Sequence, residues 1–118
     1  MKEKRDRRFM GLMWDDVDDA VIAATKRQRR FTCTTKELPF EVAYDEDKDR
    51  ISIFLVGRTT AHKRADMTDR KKIWMHWLRT GSMEARDYEG VGSNAEYLLA
   101  MLEASEIATK RADVASTE

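Results

Sequence analysis

A chain of 118 residues can build one modest hydrophobic core and not two, so it reads as a single domain. Hydrophobic residues make up 42% and charged residues 37%, enough apolar side chains to exclude a disordered polymer. The net charge of zero argues against a general nucleic-acid coat protein, but it hides strong blocks. Residues 1–8 sum to +3, 9–25 to −4, 26–30 to +4, 31–49 to −4, 50–58 to +2, 59–79 to +4 and 80–118 to −5.

No run approaches the ~20 apolar residues of a membrane helix, and the patch after MKEKRDRR is too short for a signal-peptide core. The single cysteine, Cys33, cannot close an internal disulfide, which points to a reducing compartment and a cytoplasmic, soluble protein. Residues 1–8 alternate charge and bury nothing, so they read as a flexible basic tail. The domain spans 9–112, and 113–118 form a second flexible tail.

Taken in order, Phe9, Met10, Leu12, Met13 and Trp14 form an apolar patch that packs under the domain. Asp15 or Asp16 caps a helix running to about Lys26, with Val17, Ala20, Val21 and Ala24 as its apolar stripe. Aspartates at its start and Lys26, Arg27, Arg29 and Arg30 at its end match the helix dipole, which accounts for the four aspartates without a metal ion. Three strands are expected next. Phe31–Thr35 is the first; Phe40, Val42 and Tyr44 alternate with Glu41 and Ala43 in the second; Ile51–Val56 is the central one. Short connections favour an antiparallel meander.

The turn at Asp45, Asp47 and Asp49 resembles the start of a calcium loop. Arg50 and Val56, however, stand where that loop needs glycine and an acid. A solvated hairpin turn is the expectation. Asp66 or Thr68 then caps a helix that ends before Gly81, with Met67, Ile73, Trp74, Trp77 and Leu78 on one face and His76 on the other. Ser93 and Glu96 make a capping box for a last helix buried through Tyr97, Leu98, Met101 and Leu102. The fold class is α+β: a three-stranded antiparallel meander with three helices, in the order α-β-β-β-α-α.

No motif names a reaction. Gly90-Val91-Gly92-Ser93-Asn94-Ala95 fits a dinucleotide-binding pattern, yet no strand precedes it and none follows. Cys33 lies on an expected core face, and His62 and His76 lack metal-ligand spacing. Neither a cofactor nor a metal is expected, and an enzyme using Cys33 or the histidines is the third reading.

The cations of residues 58–72 resist the bland explanation best. Arg70, Lys71 and Lys72 fall in the first turn of their helix, where the dipole disfavours positive charge, and Arg58, His62, Lys63 and Arg64 precede it. A helix N-terminus also suits anions. The expectation is a small non-catalytic binding or regulatory protein that uses Arg58, His62, Lys63, Arg64, Arg70, Lys71 and Lys72 against an acidic protein surface. Self-association is the mildest form of that idea. The alternative is nucleic-acid phosphate binding by the same residues.

Overall fold

The period-two pattern after residue 37 becomes sheet in a computed structural model, which describes residues 12–33 and 38–107. Both expected tails and residues 34–37, which include Thr35, lie outside the described residues. The described elements are α1 (Trp14–Arg27), β1 (Arg30–Cys33), β2 (Leu38–Asp45), β3 (Arg50–Leu55), β4 (Lys63–Asp66), α2 (Met67–Thr80) and α3 (Ala95–Ala104). A short 3₁₀ turn, Ala85–Tyr88, lies between α2 and α3.

The α+β class and the antiparallel meander hold, but the sheet has four strands in the order β1-β2-β3-β4. The added strand, Lys63–Asp66, pairs antiparallel with β3, with Ala65 opposite Ile51 and Lys63 opposite Ile53. It carries one apolar residue, Ala65, so no alternation marks it. Its backbone pairing alone reveals it.

Alternation along each strand then decides which side is wet. Phe31, Cys33, Phe40, Val42, Ile51, Ile53 and Ala65 are buried on one face. All three helices pack on that side, α1 against β2, α2 against β4 and α3 against β1, with α1 touching both other helices. The opposite face carries Arg30, Thr32, Glu41, Ser52 and Arg64, and it stays partly solvated as the sequence suggests. Charges there pair across strands, Arg30 donating to Glu41 at 3.3 Å.

Trp74 and Trp77 are core residues, as their spacing requires, and so are Leu98, Met101 and Leu102. Leu12 and Trp14 pack against this core; Phe9 and Met10 lie outside the described residues.

Helix ends show where local chemistry sufficed. Asp66 caps α2 by accepting the Asp69 amide at 3.1 Å. Gly81 closes it in the left-handed region (φ 73°), its N–H donating to the Trp77 carbonyl at 2.7 Å. At α1 the cap is shifted: the helix starts at Trp14, and the Asp16 carboxylate accepts the Met13 amide at 2.8 Å.

The expected Ser93–Glu96 capping box does not form. α3 starts at Ala95 after Asn94, which sits at φ 67° and makes no side-chain cap. Asn94 instead donates its side-chain amide to the Arg64 carbonyl at 3.0 Å. The Glu96 carboxylate accepts the Cys33 thiol at 3.7 Å. The N-cap position is thus Asn94 in place of Ser93, and the Glu96 carboxylate of the expected box reaches a tertiary partner.

Candidate functional site

Seven residues were expected to face a partner, and the structure removes one. Arg70 is fully buried. Its Nε and Nη2 donate to the two Asp18 carboxylate oxygens at 2.7 and 3.1 Å. Nη2 also donates to the Asp49 carboxylate at 2.6 Å, and Nη1 to the Asp49 and Ala65 carbonyls at 2.8 and 3.1 Å. The guanidinium has five N–H groups, and these five bonds occupy them all.

Asp18 also accepts the Trp74 indole N–H at 2.9 Å, and Asp49 the Tyr44 hydroxyl at 2.7 Å. One cation thereby ties α1, the β2–β3 turn, the end of β4 and α2. Burial opposes the Arg70 charge, but bonds to and charge on Asp18 and Asp49 outweigh it and hold the guanidinium above its ordinary pKa. The Tyr44 hydroxyl is pushed up to about 12, first by its bond to Asp49 and then by burial. Asp49 is held below the usual carboxylate value, first by the Tyr44 hydroxyl; burial opposes the shift, and Arg70 reinforces it.

Arg70 is therefore a structural cation and leaves the expected contact set. Its spacing carried the signal. Arg70, Ile73, Trp74 and Trp77 stand at i, i+3, i+4 and i+7, so the arginine heads the buried stripe of its own helix. Asp18 likewise adjoins Val17 on the inward side of α1, and its neighbour in space is Arg70, beyond any service to the helix dipole.

The other six, Arg58, His62, Lys63, Arg64, Lys71 and Lys72, are all exposed, and none joins an ion pair among the described residues. They form a belt around one edge of the molecule. Arg58 lies in the β3–β4 loop, His62 just before β4, and Lys63 and Arg64 on successive positions of that edge strand, hence on opposite faces. Lys71 lies over the Trp14 ring, its ammonium 5.1 Å from the centroid, while the Lys72 side chain starts beside Gly92. The two lysines, about 100° apart around α2, therefore lean toward different neighbours.

Neither does the α2 N-terminus stand open to an outside anion. Asp66 already caps it, with Asp69 in the first turn. Lys71 and Lys72 share the outer surface of α2 with the exposed Met67 and Met75.

The remaining sequence features have plain placements. Asp45 accepts the Asp47 and Lys48 amides at 3.0 and 3.3 Å and so closes the β2–β3 turn. Among the described residues no cluster of three or more metal-type ligands occurs. Cys33 and His62 belong to opposite edges of the sheet, roughly 14 Å apart by strand spacing. His76 packs edge-on to Tyr88 with ring centroids 4.6 Å apart. A shallow groove of about 260 Å³ runs between β1 and α3, lined in part by Arg30, Thr32, Ala100 and Glu103, and it shares no residue with the basic belt.

No family model matches the chain, and no curated protein or solved structure matches it. The functional reading accordingly rests on this geometry. No helix among the described residues is long and apolar enough to cross a membrane. What the belt can do is attract and orient a negatively charged macromolecule over one edge of the sheet.

Proposed function

We propose that this chain is a small non-catalytic binding protein that docks an acidic protein surface through Arg58, His62, Lys63, Arg64, Lys71 and Lys72. The observation that carries the reading is the contrast within α2. Arg70 is spent on the interior, whereas Lys71 and Lys72, its neighbours in sequence, face solvent with no acidic partner among the described residues. Cations so placed add little to folding and steer association.

Two features favour a protein over a phosphate backbone as the occupant. Asp66 and Asp69 sit among the cations and repel a continuous polyanion. Met67 and Met75 add adaptable apolar surface beside the lysines, which suits a protein interface. The buried, unpaired Cys33 suits a reducing compartment, and we place the activity in the cytoplasm.

The test is affinity capture from lysate, with and without nuclease, using the wild-type chain and Lys71→Glu/Lys72→Glu. A protein partner that survives nuclease and is lost with the double variant is the expected outcome. Co-purifying nucleic acid that disappears with nuclease would replace this reading with phosphate-backbone binding.

A further inference from the structure

The helix-side face of the sheet is not covered to its end. Phe40 is buried under Tyr97, whose ring meets it edge-on at 5.1 Å, and Tyr97 also contacts His62 at 6.2 Å. Cover stops within that row. Leu55 pairs with Phe40 in register yet is 39% exposed. Leu38, two residues before Phe40 on the same face, is 56% exposed, and Val56, in the turn that follows Leu55, is 40% exposed. The register makes Leu38 a diagonal neighbour of Leu55, close enough for the two side chains to share one contact.

Basic residues border this overhang on its β4 side. Lys63 pairs with Ile53 and is therefore also a diagonal neighbour of Leu55. The Arg58 amide donates to the Leu55 carbonyl at 3.0 Å, and the His62 amide to the Ile53 carbonyl at 2.7 Å, which fixes both residues at the rim. None of the three forms an ion pair among the described residues. The one α3 carboxylate near this end, Glu96, is turned to the Cys33 thiol.

We propose that this sheet end is the apolar anchor point of the interface: it receives an acidic segment of another protein that places an apolar side chain on Leu38, Leu55 and Val56 while its carboxylates meet Arg58, His62 and Lys63. The inference rests on the binding function proposed above and adds where, and by what chemistry, the partner is held. Charge decides the occupant. A second copy set face to face would oppose like cations, and the chain's own residues 1–8, at +3, would be repelled. Strand addition along β4 is blunted, because Asn94 already holds the Arg64 carbonyl.

The test uses two short fluorescein-labelled peptides rich in Glu and Asp, one with a central Leu-Phe pair and one with Ser-Ser there. Binding is read by anisotropy at low salt for the wild type, Leu55→Ser/Val56→Ser and Lys71→Glu/Lys72→Glu. The Leu-Phe peptide is expected to bind the wild type about tenfold or more tighter than its serine counterpart, and Leu55→Ser/Val56→Ser to erase that difference. Amide shifts of Leu38, Leu55 and Val56 in the labelled wild-type protein give a readout independent of variant folding.

If both peptides bind equally and only Lys71→Glu/Lys72→Glu weakens them, the anchor is refuted while the basic-surface reading stands. If neither peptide binds the wild type, and a labelled oligonucleotide does, the reading itself falls and the anchor with it. Concentration-dependent shifts at the same amides without peptide would assign the patch to self-association and overturn the proposal.

Discussion

Arg70 shows how little a residue type says without its position. Its removal breaks five hydrogen bonds and leaves Asp18, buried on α1's inward face, with only the Trp74 indole. Breaking a buried pair in this way costs about 3–5 kcal/mol, so Arg70→Ala should lower urea-unfolding stability by that order. The same network fixes the pH response. Asp49 titrates below its unfolded value in the native state, so its contribution is present above about pH 4 and is lost as pH falls through the native pKa. Asp49→Asn should flatten the acid limb of a stability–pH curve. Tyr44, raised to about 12, works in the opposite direction. Its contribution is complete below about pH 10 and is lost as pH rises toward its native pKa. Ultraviolet titration should show a late phenolate component that is missing in Tyr44→Phe.

At the scale of elements, α2 is the most self-contained piece of the chain. Its start and stop are written locally, Asp66 in the cap and Gly81 at a left-handed position. Asp66→Ala should cost about 1 kcal/mol through the lost cap, and Gly81→Ala about 1 kcal/mol through backbone strain, each measurable by urea unfolding. These ends were legible in the sequence because they depend on neighbours within four residues. The same holds for the Asp45 turn and for the inward alternation of Phe40 and Val42. Other features depend on partners far along the chain and left no local trace. β4 is held by pairing with β3, the α3 start by Asn94 reaching Arg64, and Glu96 by Cys33, 63 residues away. Arg70 lies between these cases. Its helical spacing announced a buried position, but the charge of its neighbours Lys71 and Lys72 invited grouping it with the surface.

At the scale of the whole molecule, the cations among the described residues divide between those answered by acids and those with no ion pair there. Lys26 meets Glu46, Arg29 and Arg30 meet Glu41, and Arg70 meets Asp18 and Asp49. The belt from Arg58 to Lys72 keeps six of the seven residues that the sequence suggests for a partner, and their exposure is what the structure adds. Reversing Lys71 and Lys72 loses the Trp14 contact but places acids where the helix dipole favours them, so the effects oppose each other. α2 gives Arg70 to the fold and Lys71 and Lys72 to the surface. Equilibrium urea unfolding of Arg70→Ala beside Lys71→Glu/Lys72→Glu tests this division without knowledge of the partner. The expected result is a loss of about 3 kcal/mol or more for the first and a change within about 1 kcal/mol for the second. Comparable losses in both would contradict it, because the two lysines would then be serving the fold.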